Sequence, residues 1–110
     1  MVNLEGVDVF VKVVQAGSFT RAAEQLAMPT TTVSAKLARL EKSLGVTLIQ
    51  RTTRKLNVTP AGQAYFDRCV RALEELQEAE AELARLAAAG QTEVAAFLEF
   101  FPRITRSLIR

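Results

Sequence analysis

Ser18-Phe19-Thr20-Arg21-Ala22-Ala23-Glu24-Gln25-Leu26, then Ala27-Met28-Pro29, then Thr30-Thr31-Thr32-Val33-Ser34-Ala35-Lys36-Leu37-Ala38-Arg39-Leu40-Glu41-Lys42-Ser43-Leu44: this stretch decides the fold. Ser18 is a good N-cap, and Phe19, Ala22, Ala23 and Leu26 fall at helical spacing, which predicts a short helix over 19–26. Pro29 disfavours helical geometry at Met28 but is tolerated in a first turn, so it separates two helices. Val33, Leu37, Leu40 and Leu44 then mark the apolar face of a helix over 30–44, stopped by Gly45. Three threonines are poor choices inside a helix but suit its start, where their hydroxyls are expected to cap free N–H groups. A helix of about eight residues, a tight turn and one of about fifteen make a helix-turn-helix. The small pair Ala22 and Ala23 permits close contact between helices.

Upstream, Leu4, Val7, Phe10, Val11 and Val14 recur at three- and four-residue spacing, predicting a helix over 3–16 that ends at Gly17. Val9 and Val13 break the alternation a strand would need. Downstream, Val46-Thr47-Leu48-Ile49-Gln50-Arg51 and Lys55-Leu56-Asn57-Val58-Thr59 roughly alternate around a polar Thr52-Thr53-Arg54 turn, which reads as a β-hairpin. Such a hairpin is marginal alone and must lean on the helices. With Arg51, Arg54 and Lys55 near its tip, it is a basic wing.

Thr59 is then a fitting N-cap and Pro60 a fitting first residue for a long helix reaching Ala89. A helix near 30 residues spans roughly 45 Å at 1.5 Å per residue. Phe66, Cys69, Leu73, Leu76 and Leu83 form a stripe along it, widened by Tyr65, Ala72, Ala79 and Leu86, with Glu80 breaking the seam. A small globular core cannot cover that length, so the stripe is expected to meet a second copy. Packing back on the same chain is the alternative. Residues 90–110 form a short apolar tail interrupted by Pro102. With Arg103, Arg106 and Arg110 it could mimic a membrane-surface helix, but a remnant of a larger domain or a docking segment fits better.

Composition removes other function classes. The 110 residues contain no His and one Cys, Cys69. That excludes Ser-His-Asp and Cys-His catalysis, His-ligated metal sites and an internal disulfide within the chain. Glu74, Glu75, Glu78, Glu80 and Glu82 share one helix and read as a solvated face, not a di-metal site. No catalytic residue, metal ligand or cofactor is expected. No apolar run reaches the ~18–20 residues that span a bilayer, and the start carries no positive region of a secretory signal, so the expected location is the cytoplasm. The net charge of +2 conceals a segregation. Residues 29–62 hold six basic groups against Glu41 alone, whereas residues 63–92 hold six acidic groups against three basic ones. A solvated surface would account for this, and so would a face for a polyanion.

The residues from Ser18 to Leu26 resemble the first helix of the helix-turn-helix in LysR-type transcriptional regulators. Those from Val33 to Gly45 resemble that family's recognition helix, and those from Leu48 to Gly62 its wing and the start of its linker helix. The resemblance covers residues 3–88 in order and without gaps. It departs at Pro29-Thr30-Thr31, where the family often has Ser-Gln-Pro or Ser-Gln-Ser, at Ala35, often Arg, and at Ile49, usually Phe.

The resemblance implies a mainly α winged helix-turn-helix DNA-binding domain over 1–60, three helices plus the two-stranded wing. A linker and dimerisation helix over 61–89 and the tail over 90–110 follow. It implies sequence-specific binding of double-stranded DNA at a pseudo-palindromic, A/T-rich site, in a homodimer or tetramer at the bacterial nucleoid. Ser18, Thr30, Thr31, Thr32, Ser34, Ala35, Lys36, Arg39, Arg51, Arg54 and Lys55 would contact DNA. The start of the 30–44 helix would enter the major groove, and Arg54 would reach the minor groove. Tyr65, Phe66, Cys69, Leu73, Leu76 and Leu83 would serve dimerisation, with linker helices paired antiparallel. Family members usually continue into an effector-binding domain; this chain reads as a truncated or short form, with no small-molecule effector expected to act on it. The rival readings are a nucleoid-type binder without base readout and a coiled-coil interaction protein that binds no DNA.

Overall fold

Helix α1 (Leu4–Ala16), α2 (Phe19–Leu26) and α3 (Thr30–Leu44) come first, then strands β1 (Ile49–Arg51) and β2 (Leu56–Val58), then the long helix α4 (Pro60–Ala88). The computed structural model describes residues 2–52 and 55–90. Of the tail expected at 90–110, residues 91–110 lie outside the described residues, as does the wing-tip residue Arg54.

Local chemistry sets the helix ends. The Asn3 side chain accepts from the Gly6 N–H at 3.0 Å and caps α1. Gly17 closes it in the left-handed conformation at φ 68°, which glycine adopts without penalty. Ser18 caps α2 as expected, its Oγ accepting from the Arg21 N–H at 3.3 Å. Ala27 ends α2 in the left-handed region at φ 54°, and the N–H groups of Ala27 and Met28 donate to the Glu24 and Ala23 carbonyls. That is the Schellman arrangement, here with alanine where glycine is usual.

The α1–α3 core is built from Val7, Val9, Phe10, Val11 and Val13 of α1, Ala22 and Ala23 of α2, and Val33, Leu37 and Leu40 of α3. The stripe expected on α1 is too narrow. Val9 and Val13 are buried, because α1 packs against both α2 and α3 and so hides more than one face. At the element ends the expectation is too generous: Leu4 is 57% and Leu44 42% exposed. Gly6 permits the close approach of α1 to α3, since a Cβ there would lie 3.3 Å from the Leu40 Cβ.

The wing is shorter than its alternating sequence suggests. β1 and β2 pair antiparallel in the register Ile49 with Val58, Gln50 with Asn57 and Arg51 with Leu56. Leu48 and Ile49 drop into the core, whereas Val46 is exposed. Toward the tip the Thr52 N–H donates to the Lys55 carbonyl at 3.3 Å. The Thr52 hydroxyl also donates to that carbonyl, at 2.9 Å, and accepts from the Lys55 N–H at 3.1 Å.

The base of α4 is fastened to the wing root. The Thr59 hydroxyl accepts from the Gly62 N–H at 2.9 Å, the expected cap, and donates to the Thr47 carbonyl at 2.7 Å. The Thr59 N–H donates to the Leu48 carbonyl at 2.9 Å. Gly62 passes that same carbonyl so closely that a Cβ would lie 2.1 Å from its oxygen.

Residues up to Val70 form one compact unit, which therefore includes the first turns of α4. The Tyr65 and Phe66 rings stand 5.8 and 6.3 Å from Phe10, and Cys69 is buried. Tyr65 and Phe66, two of the residues expected to serve dimerisation, thus have part of their surface against Phe10 of the chain's own α1 and are half-buried. Burial raises the Cys69 thiol and the Tyr65 phenol above their ordinary pKa values. From Arg71 onward α4 presents Leu73 and Leu83 partly covered, Leu76 50% exposed and Leu86 37% exposed. Among the described residues no helix is long and apolar enough to cross a membrane, and no group of acidic or sulfur side chains could hold a metal ion.

Candidate nucleic-acid interface

A helix start leaves N–H groups without partners inside the helix. At α3 no side chain caps them. Pro29 is its N-cap and offers no side-chain hydrogen bond. The expectation that threonine hydroxyls cap this end is not met; the threonines lie inside the first turn. Thr30, Thr31 and Ala35 are exposed, and Thr32 and Ser34 are half-buried. The Thr32 and Val33 N–H groups turn inward to the Pro29 carbonyl at 3.0 and 3.1 Å. Val33 and Leu37, fully buried, hold the opposite face of the helix in the core. The end of α3 thus presents small hydroxyl and methyl groups and a partial positive charge on a rigid base.

The basic side chains are placed unequally around it. Arg39 is exposed one turn further along the helix from Ala35. Lys36 forms an ion pair with Glu5 of α1, so part of its charge is answered within the chain. Arg51, on β1, is exposed at its residue surface, but its guanidinium lies over the Phe19 ring at 4.8 Å and its Nη2 donates to the Ser34 carbonyl at 3.3 Å. Lys55 is exposed beside the wing turn. A cleft of ≈ 420 Å³ opens between the start of α2 and the wing, with Ser18, Phe19, Arg51, Thr52 and Lys55 among its lining residues. Of the residues expected to contact DNA, the structure gathers Thr30, Thr31, Thr32, Ser34 and Ala35 at the start of α3. It groups Ser18, Arg51 and Lys55 at the cleft, and leaves Lys36 on the side of α1.

One positioning group is not among the expected residues. Glu41 Oε2 accepts from the Leu48 N–H at 2.7 Å and the Ile49 N–H at 3.2 Å, which ties the last turns of α3 to the wing root. Its signal in the sequence is its isolation: it is the only acid among six bases in residues 29–62.

The fold and these residues have relatives. Residues 4–63 match the bacterial regulatory helix-turn-helix proteins of the lysR family. The HTH-type transcriptional regulator CrgA of Neisseria meningitidis is 53% identical over 81 residues, which is 74% of this chain and 27% of that protein. The HTH-type transcriptional activator AaeR of Escherichia coli is 42% identical over 83 residues, 76% of this chain and 27% of AaeR. The chain thus spans about a quarter of the length of the curated relatives it matches. Among solved structures, the DNA-binding domain of BenM in complex with catB site 1 DNA superposes with a TM-score of 0.74 at 29% identity, covering 78% of this chain and 96% of that one. The structure of CrgA, a LysR-type transcriptional regulator from Neisseria meningitidis, gives 0.63 at 50% identity, covering 82% and 30%. These matches are regulators, in agreement with the expectation that the chain is not an enzyme. With the matched segment exceeding half of its length, the chain belongs to the LysR family of bacterial regulatory helix-turn-helix proteins.

Proposed function

We propose that the chain binds double-stranded DNA sequence-specifically as the reading part of a transcriptional regulator. The observation that carries this is the exposed, uncapped start of α3, buried on one face and lined by Thr30, Thr31 and Ala35 on the other. In this reading that end enters the major groove. Thr and Ser hydroxyls hydrogen-bond several base edges, and threonine or alanine methyls touch the thymine methyl, so the surface favours some sequences without demanding a single base. Ser18, Arg39 and Lys55 contact phosphates and set the register. Arg54 reaches the adjacent minor groove, where narrow A·T tracts attract arginine. The similarity to a BenM domain bound to DNA supports the assignment. Relatives include both a repressor and an activator, so the sign of regulation does not follow from this domain.

A homodimer completes the reading. Leu73, Leu76 and Leu83, with Leu86, offer apolar surface along α4, and pairing there would carry two reading heads to two half-sites about one or more helical turns apart. Such a protein works at the nucleoid, in the cytoplasm.

The test is selection of bound duplexes from a random pool, followed by footprinting. The proposal expects enrichment of one motif with two related halves. Retention of DNA without enrichment would make the chain a binder that does not read sequence. No retention at low salt would remove DNA from its function.

A further inference from the structure

Arg51 has the profile of a phosphate contact in sequence: it is basic, on the wing and exposed. Its surroundings give it another role. Its planar guanidinium covers the face of Phe19, the first residue of α2, at 4.8 Å. The same group donates through Nη2 to the Ser34 carbonyl at 3.3 Å. Ser34 belongs to the second turn of α3, directly behind the exposed Thr30 and Thr31. A helical carbonyl has a second lone pair to offer beyond its intrahelical bond. Arg51 also sits in the register opposite Leu56, at the last pair of the wing ladder before the turn. One side chain therefore touches the wing, the start of α2 and the reading end of α3.

We propose that Arg51 is a positioning residue for base reading, a clamp that fixes the wing and the start of α2 against the second turn of α3, and not a counter-charge for a phosphate. The inference rests on the DNA-reading function proposed above. Its physical basis is the shape of the guanidinium. A flat, delocalised cation can stack on an aromatic face and donate sideways at once, whereas the compact ammonium of lysine cannot do both. A phosphate contact asks only for positive charge within reach, which lysine also supplies.

That difference makes the two roles separable. The chain and its Arg51→Lys, Arg51→Ala and Phe19→Leu variants are titrated with a selected duplex and with a scrambled one, over a range of salt. Circular dichroism and thermal unfolding are followed in parallel. The clamp predicts that Arg51→Lys loses roughly tenfold in the ratio of specific to non-specific affinity, as Arg51→Ala does, since stacking and the charged hydrogen bond both disappear. Phe19→Leu, which leaves Arg51 in place, shows a similar loss. Adding Phe19→Leu to Arg51→Lys costs little more, because both changes break the same interaction. The salt dependence of binding keeps its slope in all variants. A phosphate contact predicts the reverse: Arg51→Lys restores binding, Phe19→Leu is neutral, and Arg51→Ala makes the slope shallower by about 0.9 for each phosphate left without its counter-charge. Either a full rescue by lysine or a reduced slope overturns the clamp. If the unaltered chain shows no preference between the two duplexes, the DNA-reading function itself has failed, which is a different result.

Discussion

The two ends of α3 are built in opposite ways. Its carboxyl end is fastened by several polar groups. Gly45 turns the chain in the left-handed region, the Ser43 hydroxyl donates to the Leu40 carbonyl, and Glu41 takes two N–H groups from the wing root. Leu48, where those bonds land, also accepts from the Thr59 N–H and lies against Gly62. The amino end has a proline for a cap, no side-chain partner and exposed threonines. A helix made only for stability would satisfy both ends. The contrast is what a reading head requires: one end held still so that the other can offer its free groups to a ligand.

The largest effect on this contrast is expected from Gly62→Ala. The added methyl would meet the Leu48 carbonyl oxygen at 2.1 Å, a backbone atom that cannot swing aside. Destabilisation of about 3 kcal/mol or more in chemical denaturation is expected. A change under ~0.5 kcal/mol, the usual size for a neutral surface site, would mean that α4 does not pass Leu48 this closely. Glu41→Ala comes next. It orphans two N–H groups beside buried Leu48 and Ile49 and should cost about 1–3 kcal/mol, with Glu41→Gln, which retains one acceptor, costing less. Equal losses for the two variants would place the effect in charge instead of hydrogen bonding.

Substitutions at the other end should be mild. Ala27→Gly relieves a left-handed alanine in the α2–α3 turn and should raise stability by roughly 0.5–1 kcal/mol, read as a higher midpoint of denaturation. Thr31→Ala touches nothing in the core and should change stability by less than ~0.5 kcal/mol. A loss comparable to that of Glu41→Ala would show that the amino end is fastened after all.

Much of this is legible in the sequence. The helix boundaries around Gly17, Pro29 and Gly45 follow from single residues with strong conformational preferences, and they fall where the chain turns. Ser18 and Thr59 act as the caps their side chains suggest. What periodicity does not supply is partnership. Val9 and Val13 are buried because α1 has two helical neighbours, which one-face spacing does not register. Tyr65 and Phe66 fall on the apolar stripe of α4, and spacing along that helix does not show that Phe10 of α1 stands beside them. Arg51 and Lys36 read in sequence as charges alone, and their use is set by what the fold brings near: Phe19 and Ser34 for one, Glu5 for the other. Composition locates a basic face; only packing distinguishes the bases that are free from those already engaged.

The most direct test of the reading head is a pair of titrations with the chain and its Thr31→Ala/Ser34→Ala double variant, each on a selected duplex and on a scrambled one. The account predicts that the double variant keeps its affinity for the scrambled duplex and its folded stability, while its preference for the selected duplex falls roughly tenfold or more, the scale of one or two base contacts. An undiminished preference would mean that sequence is read elsewhere on the molecule.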